Sequence, residues 1–196
     1  MTDAIDSSAP SARRVFIVHG WGGTPRGSWR GWMADELTKI GVEAHTLSMP
    51  DTEHPRCNAW VGTLKAAVGT PMPNDIFVGH SLGPMAIFRY LENLSQKIRV
   101  AGVISVAGFA SGIKEPEIES FFRTELNFEN VKTKVRLGLV AINSDNDKWV
   151  PWEKAEELKN KFGSKLIRLH NAGHINEDAG YTQLPEALDR IKIWAK

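Results

Sequence analysis

Residues 75–83 read DIFVGHSLG, and residues 84–94 continue PMAIFRYLENL. The run 75–79 is short and apolar, bounded like a strand. The stretch 82–94 is apolar on nearly every side except Arg89, Glu92 and Asn93, as expected of a helix lying on the centre of a sheet. Between them Gly79-His80-Ser81-Leu82-Gly83 matches G-x-S-x-G in the strand–turn–helix context this motif needs. A serine there stands on a sharp, strained turn, and large side chains two residues to either side would clash, hence Gly79 and Gly83. The helix that follows directs free N–H groups, and the positive end of its dipole, at a reacting carbonyl. Pro84 fits because the first helical turn has no intrahelical acceptor for the N–H it lacks. Ser81 is the candidate nucleophile; the plainer alternative is a structural glycine turn that holds a serine.

Working outward, the β-branched and apolar runs 15–19, 42–49, 100–107 and 135–142 read as further strands, with 165–169 a shorter one nearer an edge. Helical spacing appears over 29–40, 58–68, 152–162 and 182–195. Buried strands alternating with helices predict a mostly parallel sheet with helices on both faces. No internal repeat or linker divides the chain, so residues 13–196 read as one domain. Residues 1–12 read as a flexible tail.

A serine hydroxyl is a weak nucleophile and needs a neutral base within hydrogen-bond reach. In this arrangement the partners follow in the order Ser, Asp or Glu, His, each on a loop after a strand. His174, in Asn171-Ala172-Gly173-His174, follows the strand 165–169 and is the candidate base. Asp145 and Asp147 share the loop Ser144-Asp145-Asn146-Asp147 after the strand 135–142. Asp145, nearer the strand end, is suited to accept N–H bonds from its own loop. Asp147 lies farther out, where it could reach the His174 loop. Asp147 is preferred as the acid, with Asp145 the alternative. His19 reads as shaping the first-strand loop, His45 and His170 as strand residues and His54 as part of a polar loop. His80 flanks the nucleophile and cannot easily turn back to it. For an oxyanion hole the backbone N–H groups of Leu82 and of Trp21, in His19-Gly20-Trp21-Gly22-Gly23, are the candidates.

The net charge of +1 and the absence of a dense basic run argue against a nucleic-acid partner. The single cysteine, Cys57, cannot form an intramolecular disulfide and reads as an incidental thiol in a polar loop; a reducing, cytoplasmic setting follows. The N-terminal residues carry Asp3 and Asp6 and no apolar h-region, so no secretory signal is expected. The most apolar stretch, 100–110, is too short to span a bilayer, so no membrane partner is expected. No His/Cys cluster has zinc spacing, and the chemistry requires neither metal nor cofactor.

VFIVHGWGG (15–23), the Trp-rich segment 29–32, SMPD (48–51), VGHSLG (78–83), SDNDKWVPW (144–152) and AGH (172–174) together give the chain a family likeness. It resembles the small serine hydrolases of the YdeN and retinoblastoma-binding protein nine type, over nearly all of its length after residue 12. The resemblance implies a compact α/β-hydrolase fold without a large lid. It places the nucleophile on Ser81, the acid on Asp147 and the histidine on His174. The first-strand loop varies within that family, so Trp21 rests on the local reading alone. The implied activity is carboxylesterase-like, on a small-molecule ester or related acyl compound, through an acyl-enzyme. An acyltransferase or peptidase with the same three groups is a neighbouring possibility. A catalytically silent protein-binding module of the same fold is the reading from another class, although no protein partner is indicated. Only the segment 111–134 could cover the site. Its Phe121, Phe122 and Phe128, with Phe109, Trp21, Trp149 and Trp152, either wall an acyl pocket or complete the core.

Overall fold

The computed structural model describes residues 13–113 and 115–195, so the tail expected over 1–12 lies outside the described residues. Six parallel strands form one sheet in the order β2-β1-β3-β4-β5-β6. The strands are β1 (Arg14–Val18), β2 (Glu43–Leu47), β3 (Ile76–His80), β4 (Gly102–Val106), β5 (Leu139–Ser144) and β6 (Lys165–Leu169). The helices are α1 (Trp29–Lys39), α2 (Cys57–Val68), α3 (Gly83–Glu92), α4 (Phe128–Lys134), α5 (Trp152–Phe162) and α6 (Pro185–Trp194).

Side chains alternate across each strand, so one strand feeds two cores. Val15 and Ile17 of β1 pack with Ile76 and Val78 of β3 under α1 and α6, against Trp29, Met33, Leu37, Leu188 and Ile191. Phe16 and Val18 point the other way, with Phe77, toward Trp60 and Leu64 of α2 and Met85 and Phe88 of α3. β3, β4 and β5 are buried along their whole length, whereas the edge strands β2 and β6 are half exposed. This is why the central strands read as continuous apolar runs.

The chain passes from β1 outward to β2, then returns across β1 to β3 and builds the sheet in the opposite direction. The loops leaving the C-terminal ends of β1 and β3 therefore diverge and open a crevice, the place where open α/β sheets bind their ligands. Ser81 follows β3, and the glycine loop 20–23 follows β1, so both lie at that crevice.

Several expectations shift. The strand expected over 135–142 runs Leu139–Ser144. Val135 makes only an isolated bridge to Val100, and Gly138, at φ 92°, interrupts the chain before the ladder begins. At its other end the strand extends through Asn143 and Ser144, which are polar and fully buried, so hydropathy did not mark them. Arg89, expected on the exposed side of α3, is buried. Its guanidinium donates to the carbonyls of Phe121 and Thr124 and pairs with Glu92, which ties the segment after β4 to the helix. Within that segment a 3-10 helix, Pro116–Phe121, and α4 were not expected. One has six residues and the other seven, too few for a periodicity to emerge. The Asn127 side chain caps α4 by accepting from the Asn130 N–H at 2.9 Å.

Candidate active site

Ser81 has φ 55°, a left-handed conformation that costs a non-glycine residue roughly 1–2 kcal/mol. The surroundings hold it there. Its N–H donates to the Val106 carbonyl at 2.9 Å, tying the turn to the end of β4. A Cβ on Gly79 would come within 2.4 Å of the Pro84 nitrogen, and one on Gly83 within 2.5 Å of the Val18 carbonyl oxygen. The first glycine lets the turn fold onto its own helix; the second lets the helix start against β1. Gly20 packs on Ser81 itself, since a Cβ there would lie 2.8 Å from the Ser81 Cβ.

Two clefts share Ser81 and His174 as lining residues. One, of about 370 Å³, is lined by polar groups of the loop 20–28 and by Arg30. The other, of about 210 Å³, is lined by Trp21, Ile113 and Trp149. Of the aromatics expected to wall a pocket, Trp21 and Trp149 do so. Phe109 and Phe121 are buried in the core, and Phe122 and Phe128 line a separate hollow beside Glu157 and Lys161. Trp152 lies under the Arg168 guanidinium, with its centroid 4.1 Å away. From the segment 111–134, Ile113 and Glu115 reach the second cleft.

The His174 Nδ1 lies 2.8 Å from Asp147 Oδ2. A carboxylate only accepts, so Nδ1 carries a proton, and in the neutral ring this leaves the lone pair on Nε2. The Asp147 side chain is fully buried, and its Oδ1 accepts from the N–H groups of Trp149 (2.9 Å) and Val150 (3.0 Å). Asp145 is engaged elsewhere. Its Oδ2 meets His170 Nδ1 at 2.5 Å and its Oδ1 accepts from the Asn171 N–H at 2.9 Å. That backbone bond, followed by the His170 contact, holds the Asp145 carboxyl below the ordinary carboxylate range. The expected cap on its own loop is thus mainly a tie to the neighbouring loop. His170 lies just past the end of β6 and not within it.

The whole run Ser144-Asp145-Asn146-Asp147 stitches the loop after β5 to the histidine loop. The Ser144 hydroxyl accepts from the Ala172 N–H, and Asn146 Oδ1 accepts from the Gly173 N–H. With Asp145 on His170 and Asn171 and Asp147 on His174, four successive side chains meet five residues across the gap. The histidine loop needs such fixing, because Asn171, Gly173 and Ile175 all have positive φ.

Two residues that sequence reasoning did not assign to the site hold this loop from below. His80 Nε2 bonds the His174 carbonyl at 2.9 Å. Trp29 Nε1 donates to the Ile175 carbonyl at 3.0 Å, and its ring meets His80 edge-on with centroids 6.0 Å apart. Neither reads as part of the site in the sequence: Trp29 stands in the Trp-rich segment 29–32 at the start of a helical pattern, and His80 reads as flanking Ser81 without easily turning back to it.

His19 is buried, with Nδ1 donating to the Gly20 carbonyl (2.8 Å) and Nε2 accepting from the Met49 N–H (3.1 Å). Both bonds fit only the neutral ring. Burial lowers the pKa of His19, and burial pushes that of His80 well below the ordinary value, with His174 and Arg30 adding to the effect. Above pH ~6.5 these rings are neutral in both the folded and unfolded chains. Below it the unfolded chain takes up protons that the folded chain refuses. Stability is therefore complete above pH ~6.5 and is lost as the pH falls toward the lowered pKa values, by at most about 1.4 kcal/mol per pH unit for each histidine. The urea midpoint is expected to fall between pH 7.5 and 5, less steeply in His80→Gln. A midpoint unchanged over that range contradicts the assignment of two buried neutral rings. Cys57 is half-buried, and burial raises its thiol pKa, so it holds no reactive thiolate at neutral pH.

The oxyanion candidates differ from their neighbours. The N–H of Gly22 donates to Thr52 and that of Gly23 to Gly20. Among the described residues, the N–H groups of Trp21 and Leu82 donate to nothing. The Trp21 indole is held by the Glu53 carbonyl at 2.9 Å.

A parallel sheet with its nucleophile-type turn after β3 and a histidine–carboxylate pair after β6 and β5 defines an α/β-hydrolase. A sequence model of the serine hydrolase family matches residues 15–192, and the chain belongs to that family. It is 31% identical over 178 residues to YdeN of Bacillus subtilis (strain 168), covering 90% of this chain and 93% of that protein. It is 24% identical over 188 residues to the serine hydrolase RBBP9 of Rattus norvegicus, covering 94% and 96%. The crystal structure of the B. subtilis ydeN gene product superposes with a TM-score of 0.87 at 30% identity, over 93% of this chain and 98% of that one. Est1E of Butyrivibrio proteoclasticus, solved with ferulic acid bound, shares the fold at a TM-score of 0.71 and 14% identity, over 98% and 92%. No described helix is long and apolar enough to cross a membrane.

Proposed function

We propose that the protein is a carboxylesterase-like serine hydrolase in which Ser81 is the nucleophile, His174 the base and Asp147 the acid. The observation that carries the reading is the bond from His174 to the buried Asp147, with His174 and the strained Ser81 facing the same two clefts. His174 Nε2 takes the Ser81 proton as Oγ attacks the substrate carbonyl carbon. The carbonyl oxygen becomes an oxyanion facing the free N–H groups of Trp21 and Leu82. Collapse of this intermediate breaks the ester bond. The leaving alcohol takes the proton from His174, and Ser81 keeps the acyl group. A water molecule then gives its proton to His174 and attacks the acyl carbon; the acid leaves and the proton returns to Oγ. Asp147 stays ionised, fixing the ring and stabilising the imidazolium. The chemistry draws on no cofactor, the partner is a small acyl compound, and the lone, unreactive cysteine suits the cytoplasm.

The test is labelling with a fluorophosphonate. The wild-type chain should take up one equivalent, located on the peptide that contains Ser81, and Ser81→Ala none. Equal labelling of the two proteins, or none of the wild type, would overturn the reading.

A further inference from the structure

We infer that Arg30 forms an anion-binding subsite beside Ser81, and that the preferred substrates are esters carrying a carboxylate. The inference rests on the hydrolase reading and adds a substrate class to it. Arg30 is only 5% exposed. Its Nε donates to the Thr24 carbonyl at 3.1 Å. Among the described residues its two Nη groups donate to no protein atom, and no carboxylate oxygen lies within 4.0 Å of the guanidinium. Arg30 nonetheless lines the larger cleft, together with Ser81 and His174. The guanidinium carbon lies 5.8 Å from the centroid of the Trp29 ring, and the Nη donors, open to the cleft and not sealed from solvent, are available to an anion that enters it.

The backbone around it sharpens the point. Arg30 stands in the first turn of α1, which has no acidic residue there and no side-chain cap on its N-terminus. A cation at a helix N-terminus opposes the dipole, whereas an anion between the two is favoured by both. Gly27 keeps the approach open, since a Cβ there would lie 3.0 Å from Arg30 Nη2. A guanidinium with both Nη groups free presents the planar fork that a carboxylate accepts in two parallel bonds. Burial lowers the Arg30 pKa to about 10, so the group is charged at neutral pH. Two acids, Glu177 and Asp178, also line this cleft, but both are exposed at its mouth, where water screens them. Of the two, Glu177 acts on Arg30, through space and without an ion-pair contact. The second cleft, with Trp21, Ile113 and Trp149, is left for the apolar part of the same substrate.

The experiment compares kcat/KM for the 4-nitrophenyl ester of hexanoic acid with that for the 4-nitrophenyl half-ester of adipic acid, at low ionic strength. The wild type should favour the carboxylate ester at least tenfold, and Arg30→Met should lose most of that ratio. Reading a ratio removes any general loss through weakened folding. Should Arg30→Met fail to fold, Arg30→Lys keeps the charge without the fork and should retain an intermediate ratio, while Glu177→Gln should raise it. Free adipate should inhibit competitively and more strongly than inorganic phosphate; the reverse order would overturn the carboxylate assignment. Hydrolysis of the hexanoate with no preference, or an unchanged ratio in the Arg30 variants, overturns the subsite while leaving the hydrolase reading standing. Failure to hydrolyse either ester overturns both.

Discussion

Ser81→Ala is expected to fall by a factor on the order of 10⁶ in kcat on a short aryl ester, the size of loss seen when a serine protease loses its nucleophile. The fold should survive, because the substitution removes one oxygen atom and keeps what shapes the turn. The Ser81 N–H bond to Val106 is made by backbone, and the contact with Gly20 is made by Cβ, which alanine retains. Alanine at φ 55° is also as strained as serine, so the strain remains. A companion variant separates strain from chemistry. Ser81→Gly should be equally inactive yet more stable by about 1 kcal/mol, because glycine adopts this conformation freely. Thermal midpoints and single-turnover assays on both variants decide the matter. Substantial turnover by Ser81→Ala would show that another group attacks the ester, and a less stable Ser81→Gly would mean that the turn is not under strain.

The central strands and the turn after β3 are legible in the sequence because their constraints are local. A strand buried on both faces must be apolar throughout, and a helix that starts against β1 must start with a residue as small as Gly83. The edge strand β2 is five residues long within an expected eight, because its ends lie where pairing with β1 stops, and only the partner decides that. The stretch between β4 and β5 resisted reading for a related reason. Its 3-10 helix and α4 are organised by Arg89 reaching from α3, and the sequence around them holds no trace of that contact. At the site, the residues proposed to bear chemistry belong to a recognisable order along the chain. Those that brace them do not. Trp29 and His80 act on the histidine loop through two carbonyls, bonds that any loop sequence could supply. The polar density of Ser144-Asp145-Asn146-Asp147 after a buried strand was a usable signal, since four side chains with hydrogen-bonding oxygens in a row demand donors nearby.

Asp147→Asn should lower kcat on the order of 10⁴-fold, and the environment of its carboxylate says why. The two oxygens of Asp147 have separate tasks: Oδ1 accepts from Trp149 and Val150, and Oδ2 accepts from His174 Nδ1. Asparagine has one oxygen, and the two backbone N–H groups claim it, because turning the amide would set its NH₂ against two buried donors. The NH₂ must then face His174 Nδ1, which can remain bonded only by becoming the acceptor. The ring proton moves to Nε2, and the lone pair that should take the proton of Ser81 is gone. The fold should hold, since the shape and the two backbone bonds are kept. Asp145→Asn presents the opposite case. Its carboxylate serves the Asn171 N–H and the exposed His170, neither of which lines a cleft shared with Ser81, and an amide oxygen can still accept from Asn171. Its kcat should stay within about tenfold of wild type, with the change appearing as a lower urea midpoint through loosening of the histidine loop. Raising the pH should not rescue Asp147→Asn, because the fault is a misplaced proton on a neutral ring and not a charged one. Both variants measured on one ester settle the assignment: an active Asp147→Asn beside an inactive Asp145→Asn would transfer the acid's role to Asp145.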